Sequence, residues 1–181
     1  MVYVFLADGF EEIEALTPVD IMRRAGVEVF TVGIGGESVT GSHGITVIAD
    51  LCEQDLVLED NCTGIVLPGG LPGTTNLEAS STVLSAIDYC NNNGMMIAAI
   101  CAAPSILGHK GILNGKKAVC YSGYESELTG AHISDTAVVT DGNIITACGA
   151  GVSVRFAFEI VRFICNDEIA DKLECSMLCD R

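Results

Sequence analysis

Residues 94–107 read "GMMIAAICAAPSIL": an apolar run ends at one cysteine, Cys101, and an alanine-rich segment with a single proline follows. The plain reading makes Cys101 a small buried hydrophobe, because free cysteine is among the residue types most often found in cores. The sharper reading makes it a nucleophile on a strained turn. Ala99-Ile100-Cys101-Ala102-Ala103 has the small-x-nucleophile-x-small form of a nucleophile elbow, with alanine where glycine is usual. A sharp strand-to-helix turn needs small neighbours two residues away, because they press against the sheet. That geometry leaves the sulfur accessible at a helix N-terminus, where unpaired N–H groups and the helix dipole favour the thiolate.

Working outward, "VYVFLA" (2–7), "VEVFTVGI" (27–34), "GIVLPGG" (64–70) and "MMIAAI" (95–100) are short apolar runs. Near-continuous apolar character suits strands covered on both faces, as in parallel sheets. Helical patterns fall between them. Thr17-Pro18-Val19-Asp20 predicts a cap, a first-turn proline and an acidic third position, for a helix that stops at Gly26. Residues 81–93 form a helix closed by "NNNG", and 153–165 are apolar at helix spacing. A last amphipathic piece carries Ile169, Leu173 and Met177 on one face. The alternating segment 38–51, with glycines on both sides of His43, predicts a small hairpin. "TAVVTDGNIITA" (136–147) predicts another around Asp141-Gly142. No linker, repeat or low-complexity block interrupts the pattern, so residues 1–181 read as a single domain. Its class is α/β: a sandwich with a mostly parallel sheet and helices on both faces. In such sheets ligands bind beyond the carboxyl ends of the strands, and the tight loops after residues 8, 68 and 100 can all gather there.

Composition narrows the functions. The chain is 49% hydrophobic and 18% charged, and 24 acidic against 9 basic residues leave a net charge of −15. Such a surface repels phosphate backbones and anionic lipid heads, so neither nucleic acid nor a membrane is expected as partner. The nine cysteines are scattered, with no Cys-x-x-Cys. Cys175 and Cys179, four apart, lack the further ligands a metal site needs. Reduced thiols in a cytoplasmic setting fit best. The N-terminus "MVYVFLADGFEE" has no basic region and reads as a first strand, not a signal peptide.

Two further stretches carry chemistry. Pro68-Gly69-Gly70, after an apolar strand, offers exposed backbone amides for an oxyanion, although a plain strand–helix loop has the same composition. "DGFEEIEALTPVD" (8–20) places Glu11, Glu12 and Glu14 just after the first strand. Such runs are usually solvated faces. A carboxyl turned toward the sheet edge would instead be desolvated, with its pKa raised, and able to donate a proton to a thiolate. The periodicity of Phe10, Ile13 and Leu16 does not choose between Glu12 and Glu14. Among the histidines, His109 lies eight residues past Cys101, roughly 12 Å along a continuous helix, too far for a Cys–His pair. His43 and His132 fall in predicted loops. "GAGVSV" (149–154) lacks the third glycine of a dinucleotide fingerprint.

The segments "FLADGFEEIEALTPVDIMRRAG", "IVLPGG" and "AAICAAP", in this order and spacing, resemble the DJ/ThiJ/PfpI superfamily in its Parkinson-disease-protein (protein deglycase) branch, over nearly the whole chain. The resemblance implies a flavodoxin-like α/β sandwich, a homodimer and no cofactor or metal. It puts the reactive cysteine at Cys101, the acid at Glu14, and the backbone amides facing the thiol at Gly70 and Ala102. It also implies a cysteine of depressed pKa that oxidises readily to the sulfinate. Tyr121 stands where some close relatives have a histidine, and Ala102 stands where the peptidase branch has one, which argues against a protease. His43 falls in the loop where relatives place a basic residue near the dimer partner's site. With Gly69, Tyr121 and His43 complete the expected substrate pocket. The expectation is a cysteine-dependent glyoxalase or deglycase that converts methylglyoxal, glyoxal or their adducts with amino acids and proteins into lactate or glycolate. The alternative is an oxidative-stress sensor or redox-regulated chaperone dimer in which Cys101 is oxidised without turnover, and a Cys101–Cys120 disulfide is a further variant.

Overall fold

The apolar runs become neighbouring strands of one sheet in the computed structural model, which describes residues 1–58 and 61–179. The chain runs through β1 (Val2–Leu6), α1 (Glu12–Arg24), β2 (Val29–Gly33), β3 (Ser38–Thr40), β4 (Thr46–Ile48) and β5 (Leu51–Cys52). It continues with β6 (Gly64–Leu67), α2 (Gly73–Ala79), α3 (Ser81–Asn92), β7 (Met96–Ile100) and α4 (Pro104–His109). The last part holds β8 (Lys117–Ala118), β9 (His132–Ile133), β10 (Val138–Asp141), β11 (Ile144–Ala147), α5 (Ser153–Ile164) and α6 (Asp167–Ser176). Seven strands in the order β10-β11-β7-β6-β1-β2-β5 make the central sheet. Only the β10–β11 pair, the hairpin read around Asp141-Gly142, is antiparallel. The hairpin around His43 is the separate β3–β4 ribbon.

Every residue of β1, β6 and β7 is buried, which follows from helices covering both faces. On one side α1 and α5 pack Ala15, Met22, Phe156 and Ile160 over Val4, Val66 and Ala98. On the other, α3 and α4 pack Val83, Ile87, Ile106 and Leu107 over Phe5, Ile65 and Ile97. Full burial of a Phe or Ile contributes about 1.5–3 kcal/mol, so these two layers hold the sheet's carboxyl edge in place.

The first helix differs from the sequence reading. It begins at Glu12, not beside Thr17, and Pro18 lies inside it. Pro18 lacks an N–H, so the Glu14 carbonyl loses its intrahelical donor. The turn survives because Ala15, Pro18, Val19 and Met22 are all buried. The helix stops before Gly26, as expected. His132 also departs from expectation, lying in strand β9 with its side chain exposed. Among the described residues, no helix is long and apolar enough to cross a membrane.

Candidate active site

Three strand ends converge. β7 delivers Cys101, which sits at φ 64°, a left-handed conformation that L-residues other than glycine rarely adopt. The surrounding backbone enforces it: the Cys101 N–H donates to the Ala147 carbonyl over 2.9 Å, and the Cys101 carbonyl accepts from the Tyr121 N–H over 2.8 Å. Ala99 and Ala103 are fully buried, which is the small-neighbour requirement of the elbow. Strain of this kind persists where the surrounding structure over-determines it, and it clusters at functional sites.

β6 delivers the Pro68-Gly69-Gly70 loop. A Cβ on Gly69 would stand 2.7 Å from both the Cys101 Cβ and Glu14 Oε2, so only glycine fits between them. Gly70 has φ +88°, and its N–H together with that of Ala102 is directed at the Cys101 sulfur. β1 delivers the acidic run. The Gly69 carbonyl accepts the Glu11 N–H over 2.9 Å, which pins the start of α1 to the glycine loop.

The two carboxylates that periodicity could not separate have different surroundings. Glu14 is fully buried and its Oε2 accepts the Gly69 N–H over 2.9 Å. Burial pushes its pKa up to about 7; hydrogen bonds with Cys101 and Gly69 oppose that shift, and the Glu11 charge adds to it. Glu12 turns the other way, to the loop between β3 and β4. It accepts the His43 N–H at 2.9 Å, lies 3.0 Å from His43 Nδ1, and takes the Ile45 N–H at 3.3 Å. Burial alone would raise Glu12, but these bonds outweigh it and hold the group down to about 2.

Cys101 corrects the expectation of a thiolate favoured by a helix dipole. Its thiol is pushed up to about 12, first by burial and then by the charge of Glu14, against the opposing pull of the Ala102 and Gly70 amides. Helix α4 starts only at Pro104, three residues beyond the sulfur. The Glu14 contribution exists only while that carboxyl is ionised. A protonated Glu14 adds no such charge and can donate to sulfur. Sulfur and carboxyl therefore titrate as a pair.

A cavity of about 480 Å³ opens above the sulfur, lined by Glu11, Glu14, His43, Gly70, Leu71, Cys101, Ala102, Tyr121, Tyr124 and Ala150. All the expected pocket residues except Gly69 line it; Gly69 lies beneath, between thiol and acid. Leu71 and Tyr124 went unread in the sequence. Tyr124 follows Tyr121 by three in the loop after β8, and that spacing was its only signal. Glu11, Glu12 and His43 are the one cluster among the described residues whose ligand atoms lie within 4.8 Å of one another. Both Glu12 oxygens are already taken up by the loop, so the cluster is a structural clasp. His109 is bound elsewhere, between Glu78 and Glu127.

A parallel sheet with a thiol on a left-handed elbow, a buried carboxyl beside it and two amides aimed at the sulfur defines a cysteine-centred site of the α/β sandwich class. The sequence profile of the DJ-1/PfpI family matches residues 1–163, and the chain belongs to that family. It is 35% identical over 178 residues to the protein dj-1beta of Drosophila melanogaster, covering 97% of this chain and 95% of that one. It is 30% identical over 166 residues to a deglycase of Pyrococcus abyssi, covering 90% and 98%. The solved structure of oxidised Toxoplasma gondii DJ-1 superposes with a TM-score of 0.90 at 31% identity, over 98% of this chain and 97% of that one.

Proposed function

We propose that the protein is a cofactor-independent thiol enzyme acting on 2-oxoaldehydes such as methylglyoxal and glyoxal, or on their early adducts with amino acids and proteins. The observation that carries this reading is the contact of Cys101 with Glu14, a carboxyl whose pKa lies near neutral pH. Ionised Glu14 takes the thiol proton as sulfur attacks the aldehyde carbon, so no free thiolate has to accumulate. The Gly70 and Ala102 amides receive the oxyanion of the hemithioacetal. Glu14 returns that proton to the oxyanion. The regenerated carboxylate then carries a proton from the former aldehyde carbon to its neighbour while the hydroxyl proton passes to the neighbouring oxygen, giving a thioester. Water hydrolyses the thioester to a hydroxy acid such as lactate or glycolate with release of the thiol. The Pyrococcus relative's designation as a deglycase supports this class of substrate. Loss of methylglyoxal consumption in Cys101→Ser, with at least about 100-fold slowing in Glu14→Gln, is the expected result; full activity in the Cys101 variant overturns the reading.

A second reading has Cys101 oxidised to the sulfinate without turnover, as a stress sensor or redox-regulated chaperone. The relative solved in an oxidised form favours it, and so does the donor set, since protonated Glu14 and two amides suit sulfinate oxygens. Selective gain of two oxygens at Cys101 under mild peroxide, with negligible dicarbonyl turnover, would decide for it. For either reading we propose a homodimer in the cytoplasm. Exposed Ile13, Ile45 and Ile48 support pairing, and nine unpaired cysteines support a reducing compartment.

A further inference from the structure

At the opposite edge of the sheet two sulfurs meet. Cys62 precedes β6 and Cys90 lies in the last turn of α3, so both belong to segments that lead into adjacent parallel strands. The start of β7 ties them together: the Met95 N–H donates to the Cys90 carbonyl at 2.9 Å, and the Met96 N–H to the Thr63 carbonyl at 3.1 Å. Both thiols are buried in the same core layer, Cys62 at 3% and Cys90 at 0% exposure. The two side chains are in contact, and the Cys62 thiol donates to the Gly64 carbonyl over 3.8 Å. The N-terminal ammonium is held next door by the Asn61 carbonyl at 2.7 Å.

We propose that Cys62 and Cys90 form a second redox site, independent of Cys101, at which a hydroperoxide oxidises the pair to an intrachain disulfide. The surroundings assign the roles. Contact with Cys90, aided by the nearby ammonium, lowers the Cys62 thiol against its burial. Cys90 is pushed upward by the same contact and by burial, and keeps its proton. Cys62, next to the residue that holds the N-terminal ammonium and the less deeply buried of the two, is the thiol that gives up its proton and attacks, and Cys90 is the resolving thiol. Cys62 sulfur bonds to one peroxide oxygen and the O–O bond breaks. The other oxygen leaves as hydroxide and becomes water on taking a proton, and Cys62 is left as the sulfenic acid. Cys90 sulfur then bonds to Cys62 sulfur, the S–O bond breaks, and the hydroxyl leaves with the Cys90 proton as a second water. The two thiols lose two electrons and two protons in all. A buried site of this kind admits a small uncharged oxidant such as hydrogen peroxide and excludes bulky disulfides such as glutathione disulfide. This site does not depend on the activity proposed above, because the register of β6 with β7 places it at the strand starts, whereas Cys101 follows the strand ends.

The test is peptide mapping of the full chain treated with hydrogen peroxide in its native state. Free thiols are alkylated in acidic denaturant before non-reducing digestion. The expected product is a Cys62–Cys90 linked peptide pair, lighter than the two reduced peptides by two hydrogens and abolished by dithiothreitol. It should form equally in Cys101→Ser, and in Cys90→Ala a sulfenic-acid trap should label Cys62. Complete alkylation of both Cys62 and Cys90 in a wild-type sample whose Cys101 has already gained oxygen overturns the proposal, and this arm needs no variant. Linkage of Cys62 to a different cysteine overturns it as well.

Discussion

The Gly69 N–H donates to Glu14 Oε2 over 2.9 Å, while Oε1 of the same carboxyl is buried with no N–H or O–H donor bonded to it among the described residues. A half-satisfied carboxyl in a dry site holds its proton, and this one does so up to about pH 7 from an ordinary 4.5. The folded state thus binds a proton that the unfolded chain has already released between those values. Stability is fully present below about pH 4.5 and falls as pH rises toward 7, by on the order of 3 kcal/mol. Glu14→Gln keeps an acceptor for Gly69 and removes the ionisation. Denaturant melts should find the variant more stable than wild type at pH 8 and nearly equal at pH 4, while dicarbonyl turnover is lost. A variant no more stable at pH 8 would mean that the carboxyl is not desolvated in solution.

The same ionisation sets the pH profile of the proposed chemistry. Below pH 7 Glu14 is protonated and cannot accept the Cys101 proton; above it the base is present. kcat/KM for methylglyoxal should therefore rise through an inflection near pH 7. In Glu14→Gln the residual rate should show no inflection there.

The left-handed backbone at Cys101, φ 64°, makes a prediction about stability alone. Alanine at this position keeps the strain of a Cβ in that conformation, and glycine removes it, a difference of about 1–2 kcal/mol. Both variants are inactive under the proposed mechanism. Cys101→Gly should nevertheless unfold at higher denaturant than Cys101→Ala, despite glycine's greater freedom in the unfolded chain. The reverse order would show that the elbow is relaxed.

Much of this was legible in the chain because the signals were local. Four apolar runs specified the strands, and a cysteine between alanines specified the elbow. The start of α1 was not legible. Pro18 looks like a first-turn residue, but burial of Ala15 and Met22 outweighs its local preference, so the helix begins before it. Nor could spacing separate Glu12 from Glu14. Both lie in the first turn, and their fates depend on the distant Gly69 and His43 loops. The Cys101 thiol moved opposite to expectation because its burial, and after it the Glu14 charge, outweighs the pull of the Ala102 and Gly70 amides, and the depth of burial at a strand end is set by the surrounding loops.

Glu12 clasps the hairpin loop by accepting from His43 and Ile45, and those bonds hold it down to about 2. Here the folded pKa lies below the unfolded value. The stabilisation is present above pH 4.5 and is lost as pH falls toward 2. Glu12→Gln should flatten the acid limb of the stability curve over that range. It should also weaken substrate binding, because His43 loses the partner that places it over the cavity, so KM should rise more than kcat falls.

His109 supplies a contrasting pH signature remote from the cavity. Its Nε2 lies 2.9 Å from Glu127, its Nδ1 contacts Glu78, and both bonds raise its pKa above the ordinary 6.5. A raised histidine stabilises fully below 6.5 and loses that contribution as pH climbs through the folded value. The three side chains are 36–48% exposed, so solvent screens the effect to about 0.2–1 kcal/mol. Thermal melts at low salt should therefore show wild type above His109→Gln at pH 6, with the gap closing at pH 9. Added salt should close the same gap at pH 6, as it does for solvent-screened ion pairs. A gap that survives both high pH and salt would mean that His109 acts through packing and not through its charge.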